Sequence, residues 1–422
     1  MSGLAYSNRE TAAVSKYSVK KKNIPIGRPS VLRYTNAQSI LKLLRECGSC
    51  SRADLVRASG LSAPTVTNVV KDLLSNNLIE PLGEGESSGG RPPDMIRFKA
   101  ERGCLLALEI SAESISFLLT DLNGSELATQ KFSLAKRRTT PEAVCGYIAE
   151  ELRVLFRKQK KTKEQLLAVV VGVPAITNVE AGNVLSISTL EGWRSVPLRA
   201  MLTKIVNCLV IVENDVNLAA QGEQYCGAAQ QEKDFVLINI GTNVGAGIFL
   251  GGKIHHGSQW SAGEIAYLRL PSISRRQPTI HEFGELETVL TSSGILKSWY
   301  GLNGKVPQGT KPNDRKMDAV GVLNLAKAGD IRAEKIVRQR AEIIADIVIN
   351  LALILNPGLI LLSGEIGEHP VMIDFVRHQL DGSEFAVTKV GSGTPGNCAV
   401  LWGAISLALE TLPSILLPQP KM

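Results

Sequence analysis

The spacing of hydrophobic residues divides the chain into a short helical part and a long part in which strands and helices alternate. Two apolar stripes at helical spacing occupy the first part: Ile40, Leu41 and Leu44, then Val66, Val69, Val70, Leu73 and Leu74. From residue 103 onward, short apolar runs bounded by turn residues predict strands, beginning with CLLALEI, SISFLLTDLNG and ELATQKFSL. We therefore expect a small helical domain followed by an α/β body.

Capping residues set the bounds of the short helices. Ser51 and Asp54 form a capping-box pattern at the start of RADLVRAS, and Gly60 ends that helix. Ser62 and Pro64 begin the next helix, TVTNVVKDLLSNNLI. Helices separated by a glycine turn, the last with a small polar face, predict a helix-turn-helix, although a generic three-helix packing unit would show the same stripes.

The segment after these helices predicts the wing of a winged helix. LIEPLGEGESSGGRPPDMIRF reads as two short strands joined by a loop rich in glycine and serine, with a disordered linker as the alternative. Arg91 stands on its narrow tip and suits a phosphate or minor-groove contact. The predicted DNA contacts are Ser62, Thr65, Thr67, Asn68, Lys71 and Arg91.

The charge distribution supports a nucleic-acid partner for this part. Residues 1–100 contain 15 Lys and Arg against 8 Asp and Glu, whereas the other 322 residues contain 32 of each. The whole net charge of +7 therefore lies in the first quarter of the chain. A solvated basic tail would give the same charge, so the helical pattern decides in favour of duplex DNA as a partner.

Composition narrows the class of protein further. The chain has 422 residues, 44% of them hydrophobic, enough for two or three domains. Its longest apolar region, IVINLALILNPGLILLSG, is interrupted by Asn350, Asn356 and Pro357, so we expect no membrane span. The N-terminus lacks an apolar secretory segment, which favours a cytoplasmic location. Cys47 and Cys50 form a CxxC without a second pair, so we interpret them as packing or turn residues.

Polar residues at strand ends mark the candidate site of the body. Two strand-rich stretches begin about 130 residues apart, which predicts two α/β lobes with a cleft between them. IVENDVN places four polar or acidic side chains at the end of a buried strand, where they are costly unless they bind something. The adjacent His255 and His256 point in different directions on a strand, and we interpret both as surface or turn residues.

The order of motifs resembles that of the ROK family of sugar kinases and sugar-responsive repressors, in particular its repressor branch. Over roughly residues 31–410 the winged helix is followed by GGRPP, VGVPA, GW, ENDVN, GTNVGAG, SAGEIAY, GELE, SGEIG and WGAISLAL. The resemblance implies an α/β fold with a two-lobed, actin- or hexokinase-like body. We expect a flexible basic tail (1–30), a winged helix-turn-helix (31–99), a first lobe (100–225 plus 400–422) and a second lobe with sugar-site and dimerisation elements (226–399).

The resemblance also implies a sugar site. Asn214 and Asp215 match the family's ligands for hexose hydroxyls, Glu264 and Glu287 match its sugar-binding glutamates, and Tyr267 stands where the family usually has histidine. Carboxylates and an amide are suitable acceptors for the many hydroxyl donors of a sugar. For Asp215 a purely structural role and for Glu287 an ordinary surface carboxylate remain alternatives.

Departures from the family pattern predict that phosphate and metal binding are lost. Kinases of the family begin with Asp-x-Gly-Gly-Thr, whereas this chain has Glu109–Glu113, in which side chains replace both glycines and Glu113 would repel ATP phosphates. GTNVGAG is closer to the pattern, although such turns also simply join strands. Pro278, Ile280 and Glu285 replace the family's zinc cysteines beside His281. We therefore expect no cofactor, no metal and no catalytic residue.

Three functions remain open at this stage. The leading one is a DNA-binding transcriptional regulator, usually a repressor, of carbohydrate-related genes, controlled by a sugar or sugar derivative in a degenerate kinase cleft. It would bind an inverted-repeat operator as a homodimer or homotetramer. The alternatives are a sugar kinase with an attached DNA-binding module and a DNA-binding protein with a purely structural body. ATP-dependent sugar phosphorylation and ligand-induced thermal stabilisation would separate the three.

Overall fold

The N-terminal part is a winged helix-turn-helix in the computed structural model, which describes residues 29–85, 92–187, 189–271, 273, 279, 282–301, 317–382, 388–394 and 398–417. Its elements are α1 (Pro29–Cys47), β1 (Ser49–Ser51), α2 (Arg52–Ser59), α3 (Ala63–Ser75), β2 (Ile79–Glu84) and β3 (Asp94–Phe98). The three strands form an antiparallel sheet in the order β1-β3-β2. The basic tail, apart from its last two residues, and the wing tip with Arg91 lie outside the described residues.

The predicted caps of the short helices are confirmed. The Ser51 hydroxyl accepts a hydrogen bond from the Asp54 amide while the Asp54 carboxylate accepts one from the Ser51 amide, which completes the capping box of α2. Gly60 ends α2 in the left-handed conformation at φ 68°, and Ser62 caps α3. These local bonds satisfy backbone groups that the helix ends would otherwise leave unpaired.

The first lobe is built on a five-stranded sheet in the order β11-β7-β4-β5-β6. Its strands are β4 (Cys104–Ile110), β5 (Ser114–Thr120), β6 (Glu126–Ser133), β7 (Leu166–Val173) and β11 (Leu209–Asn214), and a small sheet holds β8 (Thr177–Asn178), β9 (Asn183–Ser186) and β10 (Arg194–Val196). Its helices are α4 (Pro141–Gln159), α5 (Leu198–Val206) and α6 (Asp215–Cys226).

The second lobe repeats the same plan with the strand order β14-β13-β12-β15-β16. Its strands are β12 (Phe235–Ile240), β13 (Val244–Leu250), β14 (Lys253–Ile254), β15 (Leu359–Ser363) and β16 (Lys389–Ser392). Its helices are α7 (Glu287–Leu290), α8 (Ser292–Tyr300), α9 (Ala319–Lys327), α10 (Ile331–Leu355), α11 (Gly364–Gly367) and α12 (Pro370–Leu380). In each lobe the first strand pairs antiparallel with the second and parallel with the fourth. Loops after the parallel strands therefore meet in the cleft.

The C-terminal helix, α13 (Ala399–Leu416), belongs to the first lobe and also contacts the winged helix. One cluster of buried residues includes Ile40 and Leu44 of α1 together with Ile405 and Leu409 of α13. By length and composition, α13 is the one helix of the described chain that could cross a membrane. The inner face of α13 is buried in this core, whereas the longest apolar run of the sequence lies around α10.

Candidate functional site

The outer face of α3 carries most of the predicted DNA contacts. Thr67, Asn68 and Lys71 are exposed, while Val66, Val69, Val70 and Leu73 on the opposite face are buried. The hydroxyls of Ser62 and Thr65 lie 2.8 Å apart at the helix start, and the Thr67 hydroxyl donates to the Ala63 carbonyl oxygen at 2.8 Å. In this part of the chain Asn68 and Lys71 are the predicted contacts whose side chains have no hydrogen-bond or ion-pair partner within the described residues.

A cavity of about 90 Å³ lies in the cleft where β11 ends and β13 begins. Its lining includes all five residues predicted to bind a sugar: Asn214, Asp215, Glu264, Tyr267 and Glu287. Thr189, from the first lobe, and Asn243, from the β12–β13 turn, also line it. The structure therefore brings together five predicted residues that are up to 73 positions apart in the sequence.

Two of these residues stand at the start of α6, where β11 ends. The Asn214 side chain caps the helix, accepting from the Asn217 amide at 3.0 Å and donating to the Ala175 carbonyl oxygen at 3.2 Å. Asp215 accepts from the Val216 amide at 2.9 Å. The helix start thus fixes both polar groups, and a ligand that bonds to Asn214 also contacts the cap of α6.

The other three cavity residues come from the second lobe. Gly263 has φ +88°, and a Cβ there would lie 1.9 Å from the Ala246 carbonyl oxygen, so only glycine lets Glu264 approach β13 this closely. Glu287 is half-buried and accepts from the amides of Val244 at 3.3 Å and Gly284 at 3.0 Å, which distinguishes it from a free surface carboxylate. The Tyr267 hydroxyl donates to the Glu282 carbonyl oxygen at 2.9 Å.

Burial shifts the titration of these carboxylates toward neutral pH. Desolvation raises the pKa of Asp215 to about 6. Desolvation, with Asp215 and Glu287 nearby, raises the pKa of Glu264 to about 7. Desolvation also raises the pKa of Glu287, against the effect of its two backbone hydrogen bonds. Ionised carboxylates that have lost their hydration are stabilised by a ligand whose hydroxyls donate hydrogen bonds to them in place of water.

His256 lies in a loop and is partly exposed, but it has a buried partner that the sequence did not predict. Its Nε2 lies 2.7 Å from Oε2 of Glu213, a carboxylate that is 1% exposed, whereas the neighbouring His255 is exposed. The other oxygen of Glu213 accepts from the Asn214 amide at 2.8 Å and from the Asn217 side-chain amide at 3.0 Å. The pair therefore links the second lobe to the residues that hold the start of α6.

A second cavity, of about 320 Å³, lies beside the first, and we call it the nucleotide cavity because its lining includes Glu109 and Ser111 of the segment that the family resemblance assigns to phosphate binding. Its carboxylates are Glu109, Asp215, Glu223, Glu365 and Glu368, and no Lys, Arg or His is among the described residues that line it. Desolvation and Asp215 raise the pKa of Glu109 to about 7. At ~4 Å each ionised carboxylate near a surface would repel a phosphate charge by about 4 kcal/mol.

The structure corrects the position that the sequence predicted for Glu113. Glu113 is exposed and lines a different, outer cavity, because the turn between β4 and β5 points it away from the nucleotide cavity. Glu109 and Ser111 from the same segment do line that cavity. The negative charge there therefore comes mainly from residues outside the segment that the sequence singled out.

The predicted loss of a zinc site stays a prediction. Pro278, Ile280 and His281 lie outside the described residues, so Glu285 is the one of these four positions that the structure describes. Within the part of the chain that the structure describes, no group of three or more His, Cys, Asp or Glu could hold a metal ion. All seven cysteines are free, with Cys50 buried in the winged helix beside exposed Cys47.

The sequence analysis missed several residues of the site. Glu213 stood in the IVENDVN cluster without a role of its own, and Asn243 stood in the GTNVGAG turn. A buried acid next to the predicted ligands was the available signal for Glu213. No local signal connects it to His256, which is 43 residues away.

The winged helix and the α/β body agree with comparisons to known proteins. The chain belongs to the ROK family, whose sequence profile matches residues 105–410, and a winged helix-turn-helix DNA-binding profile matches residues 35–80. It is 23% identical over 356 residues to the xylose repressor of Bacillus spizizenii, covering 84% of this chain and 88% of that protein.

Two solved structures show the same fold. A ROK family transcriptional regulator, homologous to the Escherichia coli MLC protein, has a TM-score of 0.75 at 22% identity and covers 91% of this chain and 98% of its own. A ROK family glucokinase from Streptomyces griseus, solved with glucose and AMPPNP, has a TM-score of 0.57 at 23% identity. The match covers 72% of this chain and 99% of the glucokinase chain. The N-terminal winged helix and the two-lobed α/β body predicted from the sequence are thereby confirmed.

Proposed function

We propose that the protein is a transcriptional repressor of carbohydrate-related genes, whose affinity for DNA is set by a sugar or sugar derivative bound between the lobes. The observation that carries this proposal is the contrast between the two adjacent cavities. One gathers the amide and carboxylates suited to sugar hydroxyls, whereas the charged side chains that line the other, the nucleotide cavity, are all carboxylates among the described residues. Binding without phosphoryl transfer is the function of a receptor.

The DNA-binding part supports the second half of the proposal. We place α3 in the major groove, with Asn68 reading base edges and Lys71 near phosphates, and Arg91 on the wing as a further contact. We expect two copies of the winged helix to read an inverted repeat, as a symmetric dimer does. A regulator of this kind works on DNA in the cytoplasm.

Helices α6 and α13 offer a route from the sugar cavity to the DNA-binding part. Asn214 caps α6 in the cavity, and further along α6 the Gln221 side-chain amide lies 2.9 Å from both Ser406 Oγ and Glu410 Oε1 of α13. Within the same part of α13, the Arg45 guanidinium of α1 donates to the Leu409 carbonyl oxygen at 3.3 Å. A displacement of α6 that the ligand favours would therefore reach α1 through two contacts.

Helices α6 and α13 cross with their backbones in close contact. A Cβ on Gly222 of α6 would lie 2.1 Å from the Ala399 carbonyl oxygen, and one on Gly403 of α13 would lie 1.8 Å from the Leu218 carbonyl oxygen. Because the backbones touch, a shift of α6 carries α13 with it. The ligand can bias DNA affinity only by its differential affinity for the two positions.

The experiment that tests the proposal combines ligand binding with operator binding. A thermal-shift screen of sugars, amino sugars and their phosphates on the full-length protein identifies ligands, because a ligand that binds only the folded state raises the melting temperature. Operator affinity is then measured by fluorescence anisotropy with and without each such ligand. Asp215→Ala and Glu264→Ala should lose about tenfold to a hundredfold in ligand affinity, since each removes a hydrogen bond to a charged group.

Two further variants sharpen the test. Glu368→Ala removes a carboxylate from the neighbouring cavity only and should keep the response. Gln221→Met should keep the ligand affinity but reduce the change in operator affinity, because it removes both side-chain bonds to α13. The proposal is wrong if Asp215→Ala and Glu264→Ala respond at the same ligand concentration as the parent protein.

A further inference from the structure

A larger cavity of about 450 Å³, here called the outer cavity, adjoins the sugar cavity, which we call the inner cavity. Thr189, Asn243 and Glu287 line both spaces, so the two share a boundary formed by these residues. The outer cavity lies between the β4–β5 turn of the first lobe and helices α7 and α8 of the second. A molecule in the inner cavity that extends past Glu287 therefore enters it.

The inner cavity is too small for more than one sugar ring. Its 90 Å³ holds about six to nine water molecules, at roughly 10–15 Å³ of such space for each water. The outer cavity, at about 450 Å³, is large enough for at least one further ring. The site as a whole thus has the shape of a small inner subsite with a wide extension.

The extension has the chemistry that a second sugar ring requires. Phe283 is 48% exposed there, and its flat apolar face can cover the C–H face of a sugar. The side chains of Thr242 and Asn243 have no hydrogen-bond partner within the described residues, so they are available to hydroxyls. Ligand sites combine apolar surface with a few placed polar groups in this way.

Both lobes contribute to the extension. Ser111 and Glu113 come from the β4–β5 turn, the segment where the family's kinases carry phosphate-binding glycines, while Thr288 and Lys297 face them from α7 and α8. The side chains that replaced the glycines therefore line a new surface. A ligand long enough to reach it contacts both lobes outside the inner cavity as well as within it.

We propose that the effector is a disaccharide or longer oligosaccharide, with one ring in the inner cavity and the next between Phe283 and the β4–β5 turn. This inference rests on the proposed function, because it extends the sugar site described above. It predicts that a monosaccharide occupies the inner cavity alone and binds more weakly than the matching disaccharide.

Titration calorimetry on the full-length protein with matched pairs tests the inference. The pairs are xylose and xylobiose, glucose and cellobiose, glucose and maltose, and N-acetylglucosamine and chitobiose. In at least one pair the disaccharide should bind about tenfold tighter, which corresponds to one aromatic contact with added polar bonds. Phe283→Ala should remove this advantage and leave the affinity for the monosaccharide unchanged.

Thr288→Arg gives a second, independent variant, because it fills the outer cavity from an exposed helix position. It should also remove the advantage of the disaccharide, whereas Ile354→Ala, at a residue 77% exposed on α10, should not. The inference is overturned if each monosaccharide binds as tightly as its disaccharide, or if Phe283→Ala weakens both equally. Binding of no sugar of either length would instead overturn the sugar site itself, and the inference with it.

Discussion

Replacing His256 with alanine should destabilise the protein, whereas replacing the adjacent His255 should not. His256 Nε2 lies 2.7 Å from Oε2 of Glu213, and no other donor to that oxygen is found in the described residues. Because Glu213 is 1% exposed, the variant leaves a buried carboxylate oxygen without its partner. A hydrogen bond to a charged group contributes about 1.5–3 kcal/mol, and water can replace part of it because the His256 side chain is 31% exposed.

The expected loss is therefore about 1.5–2 kcal/mol, at the lower end of that range. One kcal/mol lowers the melting temperature of a domain of 150–250 residues by about 2–4 °C, so His256→Ala should melt about 3–8 °C lower. Differential scanning calorimetry of the full-length protein measures the difference. His255→Ala is the matched control, since it removes an exposed imidazole one position away.

The difference should also depend on pH with a definite sign. The hydrogen bond to Glu213 raises the pKa of His256, so the folded protein holds the proton more tightly than the unfolded chain. The stabilisation is complete below the unfolded pKa of about 6.5 and is lost as pH rises through the folded value. The gap in melting temperature should thus be wider at pH 6 than at pH 8.5. Equal melting of the two alanine variants, or a gap that widens with pH, would refute the assigned ion pair.

Three other measurements follow from the site. Affinity for the sugar should rise by about tenfold or more from pH 5.5 to pH 8. The raised pKa values of Asp215 and Glu264 keep these acceptors protonated at low pH, where they accept hydroxyl hydrogen bonds less well. An affinity that calorimetry finds to be independent of pH would contradict this. Incubation with ATP, magnesium and a broad sugar panel should give no sugar phosphate above the blank, and turnover that disappears in Asp215→Asn would show a kinase. Asn68→Ala should reduce discrimination between operator sequences. Arg91→Ala should weaken DNA binding and make the affinity depend less steeply on salt concentration. An unchanged salt dependence would show that Arg91 is not part of the DNA interface.

The fold could be predicted from the sequence because its signals are local. Caps at Ser51 and Ser62 and alternating strand patterns lie within a few residues of the elements that they define. The gathering of the five cavity residues could also be expected, since the ends of parallel strands and the loops beside them face the cleft in this architecture. The family resemblance supplied the pairing of Glu264 and Glu287 with Asp215, which spacing alone does not give.

The contacts that depend on tertiary packing could not be predicted in the same way. His256 binds an acid 43 residues away, and Gln221 reaches α13 across 185 and 189 residues, without any pattern in the chain that links them. The direction in which Glu113 points is set by a four-residue turn, where a rotation of one position changes the cavity that a side chain faces. These residues connect parts of the molecule, and their roles emerge only when those parts are assembled.

The contact between α1 and α13 has a consequence for the synthesis of the protein. Arg45 and the Leu409 carbonyl oxygen that it binds are 364 residues apart, so the first helix leaves the ribosome long before its partner exists. At about 5–20 residues per second, the winged helix waits roughly 20–70 s for α13. During that time it has its own caps and sheet, but nothing through which a sugar could act on it. In the route proposed above, a nascent chain therefore completes its winged helix first and the contact for its regulation last.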